Sequence, residues 1–293
     1  MNKTLLKSMV WLFLAQACVG VNIVLSKGLV NHINPIVIMT IRFTFASIFM
    51  LLLLMKNNDA ERFKLGLQRN DWLVLFAKAI GAGVAFNFIM LSGLHYTDAN
   101  SAGLITSLLP AVVICLNILL FRQKMTAKMM LSIMISICGL ILINYGALGS
   151  QNSAVVLGNF LIFISLIPDG LYYTLSKYYP LKMNNMLKVF MLNAINVPIL
   201  FIIILFLPAN LWSMVSLHDW TMLVIIGINS GLFFIFWQKG IKSIDAAYAA
   251  LSTAFMPLTT VILAWVILGE GLTLNKFIGM MLVMMSIVVY ARK

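Results

Sequence analysis

The stretch GLHYTDANSAGLITSLLPAVVICLNILLFRQKMT, residues 93–126, decides the fold, because the chain repeats it. It aligns without a gap with GIKSIDAAYAALSTAFMPLTTVILAWVILGEGLT, residues 240–273, half a chain length further on. Both copies lie in strongly apolar surroundings, so one membrane-embedded unit is used twice, as in many carriers that bind their substrate between two halves. The shared positions are Gly93/Gly240, Asp98/Asp245, Ala99/Ala246, Ala102/Ala249, Leu104/Leu251, Thr106/Thr253, Pro110/Pro257, Leu116/Leu263 and Thr126/Thr273.

Composition places most of this chain in lipid. Apolar residues make up 62% of its 293 positions and charged residues only 10%, whereas soluble domains are roughly 45–50% apolar. A bilayer core about 30 Å thick needs roughly 20 apolar residues per helix. The sequence therefore predicts an all-α polytopic membrane protein with ten transmembrane helices, near residues 8–27, 36–55, 72–93, 98–121, 127–146, 154–175, 184–207, 218–238, 243–268 and 275–291.

The distribution of positive charge predicts which side each loop occupies. The net charge is +12, and with the N-terminus inside, sixteen Lys and Arg residues fall in the inner loops and termini while only Lys27 and Lys276 fall outside. This asymmetry is the positive-inside pattern of helical membrane proteins. We expect a multi-pass protein of the cell inner membrane with both termini in the cytoplasm. Nucleic acid is not an expected partner, because no basic segment of the sequence is interleaved with aromatic residues.

The repeat and the charge pattern predict the same topology. The fourth and ninth spans carry the two copies and cross the membrane in opposite directions. Five helices per half is an odd number, so duplication inverts the second half. We expect two inverted five-helix repeats, residues 1–150 and 151–293, around a central cavity.

The sequence offers no arrangement typical of an enzyme or of a metal or cofactor site. Cys18, Cys115 and Cys138 lie in apolar segments without paired spacing, which favours packing roles over disulfides or metal ligation. HExxH, GxSxG and nucleotide-binding motifs are absent from the sequence. We expect no catalytic residue, no cofactor and no metal. A channel, or a scaffold or assembly protein of the membrane, is the alternative to a transporter.

The first two predicted spans and the connection between them carry Gly20-Val21-Asn22, Ser26-Lys27, Pro35 and Arg42-Phe43. These motifs resemble the opening of the EamA-type transporters of the drug/metabolite transporter superfamily, and the resemblance in order and spacing covers essentially the whole chain. The second copy of the repeat closes with Leu268-Gly269-Glu270, as that family does. The first copy has Arg122-Gln123 where the family usually has Gly-Glu, so a role for the acidic residue does not extend to the first half.

This resemblance implies a helical bundle whose cavity is lined by the first, third, fourth, sixth, eighth and ninth spans. It implies export or exchange of small polar metabolites such as amino acids, driven by the substrate gradient or by protons. The small multidrug branch, which exports quaternary cations, fits less well. That branch depends on a Glu in its first span, and the first span here has no acid. The expected partners are membrane lipid, a small-molecule substrate and a coupling proton.

Three ionisable residues, Arg42, Lys78 and Asp169, stand out because they lie at depth within predicted spans, where charge is costly and usually functional. Lys78 and Asp169 fall at one level, so they can pair as a gate, or Asp169 can take up the coupling proton. A static pair, or Lys78 snorkelling to headgroups, is the alternative. Arg42 can bind a substrate carboxylate through its guanidinium fork. It can also clamp helix ends, which we favour because the second span is not expected to line the cavity.

Neutral polar and aromatic side chains on the expected lining spans form the predicted binding surface. Aromatic walls with a few amides suit a zwitterionic or amphipathic metabolite. The alternative is that the amides bond between helices and that the aromatic residues belong to the membrane interface. The candidates are Asn22, Asn87, Tyr172, Tyr173, Asn229, Trp237, Gln238 and Tyr248.

Two prolines, Pro110 and Pro257, occupy equivalent positions in the fourth and ninth spans. Proline removes a backbone hydrogen bond and bends a helix, so the pair can act as hinges or as fixed kinks. Asp98 and Asp245 begin the same spans, and we interpret both as helix caps.

Overall fold

The computed structural model describes residues 3–56, 63, 65–149, 153–208, 215–241, 252–253 and 255–291. The described parts are helical apart from short connections and one isolated bridge between Leu65 and Met183. We number the helical segments in chain order: α1 (Lys3–Val30), α2 (Pro35–Lys56), α3 (Arg69–Tyr96), α4 (Ala99–Phe121), α5 (Ala127–Gly149), α6 (Ser153–Tyr178), α7 (Asn185–Leu205), α8 (Leu217–Ile241), α9 (Phe255–Leu268) and α10 (Leu274–Ala291).

Seven helices in the described part of the chain are long and apolar enough to cross a membrane, namely α1, α2, α3, α4, α6, α7 and α8. Shorter apolar stretches lie at Ala127–Ile143, Phe255–Leu268 and Leu274–Val289. Large apolar side chains such as Leu119 and Ile202 are exposed on the outside of the bundle, and helices satisfy their own backbone in lipid. The prediction of a polytopic helical membrane protein is therefore confirmed.

Three of the helices are interrupted where they approach the centre of the bundle. In α3, Ile80–Ala85 is wound as a π-helix. In α4, the first piece ends at Thr106 and the second begins at Leu109, one residue before Pro110. In α7, the break falls at Ile195. A proline lacks the backbone N–H and disfavours a continuous helix, which accounts for the break in α4.

Glycines bring pairs of helices into close contact. A Cβ atom added to Gly93 in α3 would lie 2.7 Å from the Gly158 carbonyl oxygen in α6. In α5 and α10, Gly139 and Gly279 face each other, and a Cβ on either would lie within 3.0 Å of the other's carbonyl oxygen. Small residues at such positions permit the close packing on which membrane helix association depends.

The two ends of the bundle differ in their polar contacts. We call one the Glu270 end, which includes residues 31–34, 97–98 and 269–273, and the other the Lys124 end, which includes residues 122–126 and 179–184. At the Lys124 end, Phe121 stacks on Tyr178 with ring centroids 3.8 Å apart. At the Glu270 end, the Lys276–Asp98 ion pair and hydrogen bonds from backbone N–H groups to Glu270 join the connections between helices.

Candidate functional site

A cavity of about 460 Å³ lies in the middle of the bundle. Apolar and aromatic side chains form most of its wall, with a few polar and charged groups. This size and lining are typical of a small-molecule site. The six spans that the family resemblance implies all contribute: α1, α3, α4, α6, α8 and the α9 region, through Thr253 and Met256. α2 and α7 contribute as well, which the sequence did not predict.

Arg42 in α2 reaches the cavity, so the expectation that the second span stays outside the lining was wrong. α2 packs against α7 and α8, and this packing turns its Arg42 face inward. The Arg42 Nε donates to Ser230 Oγ in α8 at 3.1 Å, and Nη1 donates to Asn87 Oδ1 in α3 at 2.5 Å. The side chain therefore links α2 to α8 and α3 through their side chains and not through helix-end carbonyls, and it also lines the cavity.

The partners of Arg42 are held by further hydrogen bonds. Ser230 Oγ donates to the Ile226 carbonyl at 2.8 Å and accepts from Asn22 Nδ2 at 3.2 Å. Asn22 Oδ1 accepts in turn from Asn229 Nδ2 at 2.8 Å. These hydrogen bonds connect α1, α2 and α8 at the level of the Arg42 guanidinium.

Asn87 connects Arg42 to the π-helical stretch of α3. Its Nδ2 donates to the carbonyl oxygens of Ala82 and Gly83, at 3.1 and 2.7 Å. A π-helix leaves carbonyls without their usual i+4 partners, and such stretches are frequent at functional sites. Here one amide fills that gap and presents its oxygen to Arg42.

Asp169 in α6 lines the same cavity and follows Pro168, which lies inside the helix. Among the residues that the structure describes, its carboxylate has no hydrogen-bond or ion-pair partner. A Cβ on Gly81 would lie 3.2 Å from the Pro168 carbonyl oxygen, so Asp169 is level with the π-helical stretch of α3. A carboxylate that faces a cavity without a partner can bind a cation or a proton.

Lys78 also lines the cavity and is only 2% exposed. Its Nζ donates to the Tyr179 carbonyl at the end of α6, at 2.8 Å. The ammonium group therefore ends on a helix terminus, which favours cations. The structure brings Lys78 and Asp169 to one cavity, and no ion pair joins them in its described part.

Aromatic side chains of two helices, α6 and α8, line the cavity. Tyr172 and Tyr173 in α6 contact each other edge to face with ring centroids 5.2 Å apart. In α8, Phe233 stacks with Trp237 at 6.1 Å. All four line the cavity, so part of its surface is aromatic.

Two other predicted binding residues lie elsewhere. Asn229 is not part of the described lining, and its Nδ2 donates to the Cys18 carbonyl at 2.7 Å as well as to Asn22. Gln238 accepts from Asn185 at 3.2 Å in an exposed position. Tyr248, together with the predicted cap Asp245, lies outside the described residues. Asn22, Asn87, Tyr172, Tyr173 and Trp237 all line the cavity.

Both predicted hinge prolines are described. Pro110 lines the cavity directly after the interruption of α4, and Pro257 is buried near the start of α9. The hydroxyl groups of Thr106 and Ser107 donate hydrogen bonds to the carbonyl oxygens of Ala102 and Leu104, at 2.9 and 2.5 Å. The break in α4 is thus stabilised by its own small polar side chains.

The sequence analysis missed several residues of the site. Ser230 is the acceptor that positions Arg42, and its signal was a serine next to Asn229 within an apolar span. Phe233 was also missed, although it lies four residues before the predicted Trp237 and so on the same face of the helix. Pro168 was a further sequence signal, because proline is costly inside a helix and this one directly precedes the cavity residue Asp169.

A polar junction joins the α3–α4 and α9–α10 connections at the Glu270 end. The Glu270 carboxylate accepts from the backbone N–H groups of Ala99 and Asn100, at 2.9 and 3.0 Å, at the start of α4. Beside it, Lys276 Nζ pairs with Asp98 at 2.6 Å, and Asp98 caps α4 through the Ser101 N–H at 2.7 Å. This confirms the predicted capping role of Asp98.

The charges of this junction determine the protonation state of Asp98. Burial raises the pKa of the Asp98 carboxyl, but the Lys276 ammonium and the hydrogen bonds from Lys276 and Ser101 outweigh burial. The pKa of Asp98 therefore lies below its usual range, and the ion pair is formed at neutral pH.

Fold and cavity together define a polytopic helical membrane protein with a polar site at its centre. The comparisons with known proteins agree. The model of the EamA-like transporter family matches residues 6–145 and 156–292. The chain belongs to this family of membrane transporters.

Curated relatives of this chain are also named as transporters. The uncharacterized transporter YetK of Bacillus subtilis (strain 168) is 28% identical over 276 residues, which cover 90% of this chain and 81% of that protein. An uncharacterized transporter of Archaeoglobus fulgidus is 25% identical and covers 97% of this chain and 99% of its own length. One solved crystal structure, 18% identical, superimposes with a TM-score of 0.68 over 97% of this chain and 96% of its own. At that identity the likeness shows the fold alone.

Proposed function

We propose that this protein is a secondary carrier that exports small polar metabolites such as amino acids across the inner membrane. In this proposal, residues 1–150 and 151–293 form two inverted five-helix repeats, and the central cavity opens to each side in turn. The observation that carries the proposal is the cavity itself: it holds Arg42, Lys78 and Asp169 at membrane depth, where charged groups mark transport pathways.

Equivalent helix contacts support the inverted repeat. Gly93 and Gly240 are equivalent positions of the sequence repeat. A Cβ on Gly93 of α3 would contact α6, and a Cβ on Gly240 of α8 would lie 2.6 Å from Leu12 of α1. If α1 and α3 correspond to α6 and α8, these two contacts are the same contact in the two halves.

The C-terminal ends of α4 and α9 also support the inverted repeat. Arg122 and Gly269 are equivalent positions, and both have left-handed backbones, with φ of 49° and 67°. The next residues, Gln123 and Glu270, donate their N–H groups to the carbonyls of Asn117 and Ala264, at 3.3 and 3.2 Å. These acceptors are equivalent positions as well, so both helices end in the same hydrogen-bonded cap.

We assign the Glu270 end to the outside and the Lys124 end to the cytoplasm, because the basic residues concentrate at the latter. The Glu270 junction then closes the outer side, and it joins the α3–α4 connection of one half to the α9–α10 connection of the other. Alternating access requires this junction to open. Pro110 and Pro257 are placed to act as the hinges.

Asp169 is the proposed site of proton coupling. Its carboxylate faces the cavity without a partner among the described residues, so substrate and proton can influence each other there. Lys78 lies in the same lining and can exchange its bond to the Tyr179 carbonyl for one to Asp169 during the cycle.

Counterflow in proteoliposomes tests the proposal. The purified full chain is reconstituted, vesicles are loaded with one unlabelled amino acid at a time, and uptake of the same labelled amino acid is followed. A carrier gives transient, saturable accumulation that depends on the internal load. A channel gives uptake that the internal load does not accelerate, and absence of accumulation for every amino acid would contradict the proposed substrate class.

A further inference from the structure

Arg42 carries a charge that no described residue neutralises. Its hydrogen-bond acceptors, Ser230 and Asn87, are both neutral. The Lys276–Asp98 ion pair and the His32–Asp219 hydrogen bond, the contacts of carboxylates with cationic or imidazole groups found in the described parts of the chain, lie at the Glu270 end. A cation buried at membrane depth without a counter-ion is costly, and that cost is relieved when an anion binds beside it.

The guanidinium also has donors to spare. Arginine has five N–H groups in a planar fork, and two of them are used in the bonds to Ser230 and Asn87. A residue that served only as a clamp would not need to line the cavity, yet Arg42 does. Three N–H groups thus remain for a molecule in the cavity.

The fork is held in place before any ligand arrives. Ser230 is fixed by Ile226 and Asn22, and Asn87 is fixed by Ala82 and Gly83. Both acceptors of Arg42 therefore have their own positions set by other helices. Preorganisation of this kind lowers the entropy that binding would otherwise cost.

We propose that Arg42 is the specificity-determining residue of the cavity and binds a carboxylate group of the transported molecule. The planar fork matches a carboxylate in a bidentate manner. Aliphatic and aromatic side chains form most of the remaining lining, so the molecule has an apolar body attached to that carboxylate. This inference rests on the proposed carrier function and deepens it by naming the recognised group.

A phosphate group fits the site less well than a carboxylate. A phosphate carries nearly two charges at neutral pH, and the lining offers Arg42 and Lys78 as cations against Asp169. Lys78 is occupied with the Tyr179 carbonyl and lies nine positions before Asn87 on α3, about 13 Å along the helix axis. The Arg42 guanidinium is therefore the one cation of the described lining that is available to a ligand, and it matches an anion with a single charge.

Pairs of probes that differ only in the carboxylate test this inference. Thermal stabilisation of the purified full chain is measured with phenylacetate and phenylacetamide, L-phenylalanine and its amide, L-leucine and its amide, and phenyl phosphate. We expect at least one acid to stabilise the protein with an apparent Kd about tenfold or more below that of its amide. In Arg42→Gln this preference disappears, and in Arg42→Lys, which keeps the charge, it is reduced.

Arg122→Gln is the matched control, because Arg122 is a cation at the Lys124 end, outside the described lining. We expect it to keep the acid preference. The comparison of acid and amide on the unmodified protein stands even if Arg42→Gln does not fold. Equal binding of acids and amides, binding of none of the acids, preference for phenyl phosphate, or an unchanged preference in a folded Arg42→Gln would each overturn the assignment.

Counterflow separates this inference from the carrier proposal. If amides or amines bind and show counterflow, the protein is a carrier and Arg42 does not select its substrate. If acids bind through Arg42 and none shows counterflow, the recognition site stands and the carrier proposal fails.

Discussion

At the scale of single residues, the site depends on charges whose partners are unusual for a membrane interior. Arg42 is bonded to neutral groups, and Asp169 is bonded to none of the described residues. Membrane-buried charges normally pair with one another or with backbone carbonyls. Lys78 follows that rule through Tyr179, and the other two leave their charge available to the cavity.

Replacement of Asp169 by Asn tests the coupling role. The amide has the same size but cannot titrate, so we expect uptake driven by a pH gradient to be lost while counterflow at a uniform pH persists. Asp71→Asn is the control, because Asp71 bonds the Gln68 N–H at the start of α3 and is not part of the described lining. Gradient-driven uptake that is unchanged in Asp169→Asn would exclude this residue as the proton site.

Replacement of Ser230 by Ala tests the positioning of the guanidinium. The change removes the acceptor for Arg42 Nε and the partner of Asn22, so we expect a loss of about 1 kcal/mol in unfolding free energy and a several-fold weaker binding of the preferred acid. Ser92→Ala is the control, since Ser92 is an exposed serine that bonds only within its own helix. Equal behaviour of the two variants would show that Ser230 does not position Arg42.

At the scale of helices, close contacts between glycines predict where a methyl group cannot be added. In Gly93→Ala the new Cβ would meet the Gly158 carbonyl at 2.7 Å, so α3 and α6 must separate. Overpacking typically costs about 1–3 kcal/mol, which we expect as a fall of several degrees in Tm. In Gly28→Ala the new Cβ has open space around it, and Tm should stay the same or rise. A harmless Gly93→Ala would contradict this packing.

The Glu270 junction predicts loss of stability in acid. The pKa of Asp98 is lower in the folded protein than the value of about 3.9 in an unfolded chain. Its ion pair with Lys276 therefore contributes fully above about pH 5 and is lost as the pH falls through the folded value. We expect wild type to have a higher Tm than Asp98→Asn at pH 7, and the difference to shrink towards pH 3. A difference independent of pH would contradict the ion pair.

At the scale of the whole molecule, the sequence predicts the helices well and the cavity only in part. The fourth span was predicted at residues 98–121 and is observed at Ala99–Phe121; the second was predicted at 36–55 and is observed at Pro35–Lys56. Runs of apolar residues determine where a chain can cross a bilayer, because every crossing backbone must satisfy its own hydrogen bonds.

The face that each helix turns inward could not be read from those runs. Arg42 was placed outside the lining because the family resemblance does not count the second span among those that line the cavity, and the packing of α2 against α7 and α8 turns it inward. The π-helical stretch of α3 depends in the same way on neighbours, since Asn87 must bond the carbonyls of Ala82 and Gly83. Both features arise from contacts between distant segments.

We propose that the Glu270 junction opens and closes during transport. The direct measurement is counterflow by a variant in which Ala99→Cys and Glu270→Cys are joined by a short, cleavable thiol crosslinker, with Cys18, Cys115 and Cys138 replaced by Ala. We predict that counterflow stops on crosslinking and returns on cleavage, while either single-cysteine variant treated alike stays active. Undiminished counterflow by the crosslinked protein would contradict the account.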